Sequence, residues 1–279
     1  MQAAEAEAHK AAGNKLFGQE DYDGAVQEYT KAILKDATKP TYFTNRAICL
    51  LRLEKYERAL EDCQKAIELS PILLKAYVHK ATSLLALDRP NEALRTAQRG
   101  YDLAIEQDSF LTTNFCQTAL EAKKRRWQIN ESRRIEKEGQ LLAEMKDILE
   151  QSYQQKINYA NATITLDIEL QDQKETLEYE FKEKLALLEQ TFERSDEKYQ
   201  SREVPDYMID PISFNIFFDP VISKSGQSFE RSVIYAHLKN HKFDPFTREY
   251  LTEKDLRPNL ALKSACEQFL ERNGWAVDY

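Results

Sequence analysis

Glycine and proline are scarce in this 279-residue chain, numbering 7 and 8. An all-β fold draws on both for its frequent turns, so their scarcity argues against one. Cysteine is sparser still. Cys49, Cys63, Cys116 and Cys266 stand far apart without a CxxC pair, which excludes a disulfide framework or clustered zinc site and leaves buried thiols. No apolar run is long enough to cross a bilayer, and the opening MQAAEAEAHK lacks the apolar core of a signal peptide. Positive charge is in deficit, with 39 Lys and Arg against 47 Asp and Glu, a net charge of −8. That disfavours nucleic acid as the main partner. The expectation is a reduced protein of the cytoplasm, with the nucleus as a second compartment, and with no metal, no cofactor and no membrane partner.

What is abundant points to helix. The chain is 42% apolar and 31% charged, and its length suits two domains and a connector. Slid against itself by 34 residues, the first third brings small residues into register. Gly13, Ala47 and Ala81 align, as do Ala25, Ala59 and Ala93, then Ala32, Ala66 and Gly100. Leu16, Leu50 and Leu84 follow the same step; Tyr22 and Tyr56 align with Pro90, a residue tolerated at the start of a helix. Small residues let two helices close on each other while large ones fill the gaps between hairpins. This pattern resembles the tetratricopeptide repeat, with repeats at 6–39, 40–73 and 74–107. Stacked hairpins of that kind curve so that their first helices line a groove.

Polar residues on those first helices are the candidate binding residues. Lys10 and Asn14 lie four apart on one face, as do Lys75 and His79, and Asn45 occupies the first helix of the second repeat. Two cations and two amides converging on a groove can hold two carboxylates. The set resembles the carboxylate clamp of tetratricopeptide co-chaperones. Those proteins bind the Glu-Glu-Val-Asp tail of the seventy- and ninety-kilodalton heat-shock chaperones. The resemblance implies that Lys10, Asn14, Asn45 and Lys75 hold the terminal carboxylate and the Asp side chain. Phe17, Ile48 and Val78 would line the pocket for the Val. His79 departs from the arginine that some members carry.

From Thr113 to Arg202 there is no proline and one glycine, Gly139. Ile135, Leu142, Met145 and Leu149 form one narrow apolar stripe, and Leu177, Phe181, Leu185, Leu188 and Phe192 another. Such stripes need a helical partner, which predicts a coiled-coil hairpin pairing with its copy in a homodimer. The break between the stripes suggests a turn at Asn158 to Thr163. Within 158–172, Ile164, Leu166, Ile168 and Leu170 alternate with polar residues, fitting a strand as well as a helix. The basic run Lys123 to Arg126, followed by Trp127, reads first as a solvated helix face. As a functional patch it would serve nuclear entry or nucleic acid, or draw an acidic tail to the groove.

Turn signals return after Val204-Pro205. Pro220 to Ser223 and Gln227 to Phe229 suit a small hairpin, and Ser232 to Lys239 reads as a helix burying Val233, Ile234 and Leu238. A second helix follows Asn259, its cap, with Leu262, Cys266 and Phe269 inward. The elements DPIS (Asp210 to Ser213), DPV (Asp219 to Val221), SGQSFER (Ser225 to Arg231), DPFTR (Asp244 to Arg248) and PNLAL from Pro258 resemble the U-box, the metal-free relative of the RING finger. A RING needs eight Cys and His ligands, whereas this segment offers His237, His241 and Cys266, too few for one closed zinc site. Hydrogen bonds and charge pairs must then hold the loops. By resemblance, Ile212, Phe214, His237 and Pro245 dock a ubiquitin-conjugating enzyme, and Arg248 is a linchpin joining that enzyme to ubiquitin. One fewer residue separates His237 from Pro245 than the family pattern has.

The order of parts is similar to that of the chaperone-dependent ubiquitin ligases, down to Asn273-Gly274-Trp275 and Asp278-Tyr279. The expected fold is mainly α: a three-repeat array at 1–112, a helical connector at 113–202 and a small α+β U-box at 203–279. The function implied is ubiquitin transfer, without a covalent intermediate on this chain, to misfolded clients held by heat-shock chaperones. The alternatives are a non-enzymatic co-chaperone scaffold and a nuclear RNA-processing factor.

Overall fold

The computed structural model describes residues 2–195 and 203–278. Residues 196–202 of the expected connector, with Met1 and Tyr279, lie outside the described residues. The chain divides into two compact units, Met1–Gln128 with Val204–Tyr279, and Ile129–Glu203.

In the first unit, six helices form three hairpins: α1 (Gln2–Gly18) with α2 (Tyr22–Lys35), α3 (Pro40–Arg52) with α4 (Tyr56–Leu69), and α5 (Leu74–Ala86) with α6 (Pro90–Glu106). Each helix packs on the next, and α3 also reaches α5, so first helices are neighbours along the array. All nine small residues of the 34-residue register are buried. The turns repeat as faithfully. Glu20, Glu54 and Asp88, again 34 apart, take the left-handed conformation at φ 61°, 56° and 53°. The following amide reaches back to close each helix: Asp21 to Leu16, Lys55 to Leu50 and Arg89 to Leu84. Pro90 opens α6, where its missing N–H is harmless.

The third repeat does not end at solvent. A long helix, α7 (Thr112–Thr163), starts behind α6. Phe115 is wholly buried there, so close that a side chain on Gly100 would collide with its ring. The small residue at this last register position is glycine because another helix lies on it. Leu74 to Ala104 of the third repeat, Phe115 to Ala122 of α7, and Met208, Ile216 to Phe218, Cys266, Leu270 and Ala276 of the C-terminal module share one apolar cluster. Repeat array and C-terminal module thus bury a common core.

The basic run on α7 belongs to that contact, and the expectation of a solvated face is corrected here. Lys123 is buried over the Phe218 ring, 5.4 Å from its centroid, with Glu267 4.0 Å away. Lys124 pairs with Asp278, Arg125 with Asp88 at 2.6 Å, and Arg126 with Glu271 at 3.7 Å. Trp127 donates its indole N–H to the Arg272 carbonyl at 2.9 Å, and Gly274 leaves room for that indole. Four cations with four acids on other elements make a seam.

The C-terminal module holds strands β1 (Pro220–Ile222), β2 (Ser228–Glu230) and β3 (Arg257–Pro258), antiparallel in the order β2-β1-β3, with helices α9 (Arg231–Asn240) and α10 (Leu260–Arg272). Val221, Phe229, Ile234, Leu238, Leu251 and Leu256 form its own core. Asn259 caps α10 by accepting the Leu262 N–H at 3.1 Å. On α9, Ile234 and Leu238 are buried as the pattern predicts, while Val233 is only half-buried.

In the second unit the rest of α7 forms a hairpin with α8 (Asp167–Ser195). Leu177 is buried, Tyr153 stacks on Phe181 at 4.9 Å, and Lys146 pairs with Glu189 at 2.6 Å. The turn is displaced from the expected Asn158 to Thr163: α7 continues through Thr163, and residues 164–166 make the connection. Leu166 and Ile168 are exposed, and the segment forms no strand. Without a neighbouring strand, alternation alone cannot satisfy backbone groups, and helix takes over at Asp167.

Candidate functional site

Two sites emerge, one on each half of the first unit. On α1, Lys10, Asn14 and Phe17 follow one another at helical spacing. The Asn14 side-chain oxygen accepts from the Tyr29 hydroxyl at 2.8 Å and from the Asn45 amide at 3.3 Å. Those bonds engage the Asn14 oxygen, and its NH2 is the donor it can offer to an anion. Tyr29 is buried, which pushes its hydroxyl up to about 12, so it stays a donor. The structure therefore brings Asn14 and Asn45 together, and Phe17 and Ile48 half-buried beside one small cluster.

Lys10 pairs with Glu7, an exposed carboxylate at 3.1 Å on the preceding helical turn. A solvent-exposed pair of this kind is weak, so its ammonium is readily lent to another acid. On α5, Lys75 is exposed, while Val78 and His79 are half-buried. Burial, then the Lys75 charge, pulls His79 down to about 4, leaving it neutral at pH 7. It offers a ring N–H and no charge.

Arg46, the neighbour of Asn45, is absent from the sequence reading. It grips Asp62 with two bonds of 2.7 and 2.6 Å and reaches Thr30 at 3.0 Å, tying three helices together. Its role is to fix α3, and through it Asn45. Nothing in the periodicity distinguishes this arginine from a solvated one.

In the C-terminal module the loops are held by buried carboxylates. Asp210 is wholly buried; one oxygen takes the Ser213 N–H and hydroxyl at 2.7 Å each, the other the Glu230 N–H at 2.9 Å. Asp244 does the same for the second loop, accepting from Phe246 and Thr247 N–H at 2.9 and 3.2 Å and from the Ser225 hydroxyl at 3.0 Å. Burial works against its charge, yet these bonds hold it below the usual carboxylate range. A third acid, Asp219, takes Arg231 at 2.7 Å, Lys263 at 3.0 Å and, from α6, the Tyr101 hydroxyl at 3.1 Å. Glu230 accepts the Phe218 and Asp219 N–H groups, 2.9 Å each, on one oxygen; the other is buried with no partner among the described residues. Among the described residues, no cluster of His, Cys, Asp and Glu could hold a metal ion, and all four cysteines are buried free thiols.

At the tip of the first loop Phe214 is 72% exposed with φ 58°, a conformation unusual for an aromatic residue. Ile212 and Pro245 are half-buried. Arg248, at φ 62°, lays its guanidinium 5.0 Å from the Phe243 ring centroid. His237 is turned to the base of the second loop, its Nε2 3.0 Å from the Phe243 carbonyl, and its ring lies against His241 and Phe243. It braces the segment that leads into Pro245.

Comparison with known proteins places the whole chain. Residues 204–275 match the U-box domain, residues 40–72 the tetratricopeptide repeat, and residues 122–202 the CHIP N-terminal tetratricopeptide repeat domain. The last match falls largely on α7 and α8, which are long helices rather than short hairpins. E3 ubiquitin-protein ligase CHIP of Arabidopsis thaliana is 33% identical over 278 residues, 98% of this chain and 96% of that one. U-box domain-containing protein 12 of Oryza sativa subsp. japonica is 44% identical over 78 residues, 28% of this chain and 13% of that one. Among solved structures, the TPR2B domain of yeast Sti1 in its pHsp70 complex covers 43% of this chain and 96% of that chain at 29% identity, with a TM-score of 0.42.

Proposed function

The chain belongs to the family of E3 ubiquitin-protein ligase CHIP, and from that membership we propose that it marks proteins held by heat-shock chaperones with ubiquitin. The repeats grip an acidic chaperone tail: Lys10, Asn14, Asn45 and Lys75 take the two carboxylates, and Phe17, Ile48 and Val78 the apolar residue before them. His79 adds a hydrogen bond and no charge. The U-box docks a ubiquitin-conjugating enzyme on Ile212, Phe214 and Pro245, with His237 bracing the second loop. Arg248 hydrogen-bonds the conjugating enzyme and ubiquitin together.

In this reading a client lysine attacks the ubiquitin thioester on the conjugating enzyme. An isopeptide bond forms, the thioester breaks, and the thiol leaves on the conjugating enzyme. This chain supplies orientation and nearness, which account for the acceleration without a nucleophile of its own. Joining the two grips raises the effective concentration of client beside the thioester. The observation that carries the reading is the exposed Phe214, an aromatic ring held out in a left-handed conformation by a loop locked at Asp210. Ile135, Leu141, Met145, Ile148, Tyr179 and Leu187 of the helical hairpin stay exposed, which supports pairing with a second copy.

Reconstitution tests the whole: the full chain with ubiquitin, activating enzyme, conjugating enzyme and a chaperone. Chains that form on the wild type and vanish with Pro245→Ala support the ligase. No chain formation with any conjugating enzyme leaves the scaffold reading in its place.

A further inference from the structure

We propose that the cavity between α7 and the C-terminal module binds an aliphatic diamine, with Glu230 as the inner anchor and Glu121 as the outer one. The cavity measures about 430 Å³, inside the range of about 300–1,000 Å³ typical of small-molecule sites. One wall is a single face of α7, on which Thr113, Gln117, Leu120, Glu121 and Lys124 recur at three- and four-residue steps. The opposite wall comes from the first loop, from Glu230 and Ser232 where β2 runs into α9, and from Val277.

Depth sorts the lining. Leu120, Glu230 and Ser232 are buried, while Thr113, Gln117 and Glu121 are exposed. Glu230 is only 5% exposed. One of its oxygens is taken by the Phe218 and Asp219 amides, and the other has no partner among the described residues. That second oxygen is what Glu230 has to offer the cavity it lines.

Charge decides the sign of the occupant. Three buried acids neighbour one another here. Asp219 meets Arg231 and Lys263, but Asp210 takes only backbone and hydroxyl donors, and Glu230 only amides. Burial first, and then the charges of Asp219 and Asp210, push Glu230 up to about 7 against the hydrogen bonds of those amides. An anion would add to the repulsion; a cation relieves it.

The walls decide what kind of cation. Among the described residues no group of His, Cys, Asp and Glu could hold a metal ion. A hard cation needs a shell of oxygens, whereas Leu120, Ile216, Val233 and Val277 offer apolar surface that suits methylene groups. At the mouth Lys124 is already paired with Asp278, and Glu121 has no ion pair among the described residues. One acid inside, one at the mouth and apolar walls between them fit a hydrocarbon chain with an ammonium at each end. The inner ammonium donates to the second Glu230 oxygen, and the outer one pairs with Glu121.

Calorimetric titration of the full chain with butane-1,4-diamine at physiological salt tests the site. One saturable site is expected, with butan-1-amine binding about fivefold more weakly and butane-1,4-diol not at all. Glu230→Gln keeps the shape of the side chain and an oxygen for the two amides, and should weaken the diamine by more than about tenfold. Glu121→Gln should bring the diamine to the affinity of the monoamine. No saturable site, or an affinity unchanged in either variant, overturns the proposal; the diamine is then only screening the surface of a chain of net charge −8. Should Glu230→Gln melt early, Glu121→Gln, at its exposed position, decides alone.

Discussion

In the repeats, nine small residues at a 34-residue step let helices close on one another, and most ionic groups face outward. In the C-terminal module four acids, Asp210, Asp219, Glu230 and Asp244, are buried and turned inward to hold backbone N–H groups and basic side chains. A helix satisfies its own backbone, so a stack of helices leaves few backbone donors for side chains to accept. A module of short strands and irregular loops leaves donors that something must accept. Where a RING uses zinc, this one uses carboxylates. Charge therefore does different work at the two ends: Lys10 and Lys75 on the repeats are the charges proposed to meet a partner, and the buried carboxylates of the module hold its loops.

Removing one acid from the module should have the largest effect. Asp210→Ala leaves the Ser213 and Glu230 N–H groups buried without acceptors, a loss of about 3–5 kcal/mol. Thermal melting of the full chain and hydrogen exchange at 213–215 would register it; a variant melting with the wild type defeats the idea that carboxylates replace metal.

Glu230 sharpens the contrast through pH. Burial pushes it up to about 7, against the hydrogen bonds from the Asp219 and Phe218 amides. Its proton is bound more tightly folded than unfolded, so the associated stability is present at low pH and falls as pH rises from about 4.5 to about 7. The swing is about 3 kcal/mol. Urea melts at pH 5, 6, 7 and 8 should show a slope in the wild type that Glu230→Gln flattens, and an equal slope in both proteins rules Glu230 out as the cause.

On the repeats the order reverses. Lys10→Ala should weaken binding of an acidic C-terminal peptide roughly tenfold, about 1.4 kcal/mol, while the melting temperature hardly moves. Calorimetric titration beside a thermal melt separates the two; a lost fold with retained affinity would contradict the division drawn here. The smallest effect belongs to the turns. Glu54 is exposed and sits at φ 56°, and Glu54→Gly should stabilise the array by about 0.5–1 kcal/mol. A lowered melting temperature would show that the glutamate side chain matters more than its backbone.

The sequence disclosed these regions unequally for the same reason. A repeated helix writes its packing into its spacing, so Gly13, Ala47 and Ala81 announced the hairpins, and Lys10, Asn14 and Asn45 could be placed on their faces. The loop motifs beginning at Asp210 and Asp244 were legible as motifs, and Phe214, Pro245 and Arg248 with them. Illegible were the contacts between parts distant along the chain. Lys123 to Arg126 looked like any solvated run because its partners, Glu267, Asp278, Asp88 and Glu271, lie 37 to 154 residues away. The turn between α7 and α8 fell a few residues beyond its expected place, since alternating apolar residues fit helix and strand alike. By itself, then, the sequence determined the repeats, the two motif-bearing loops and the residues offered to partners, all set by interactions within a few turns of chain. Only the tertiary structure decided that Gly100 must yield to Phe115, that Tyr101 reaches Asp219 across 118 residues, and that the basic run is a seam. Burial and long-range pairing depend on which surfaces meet, and no local spacing encodes that.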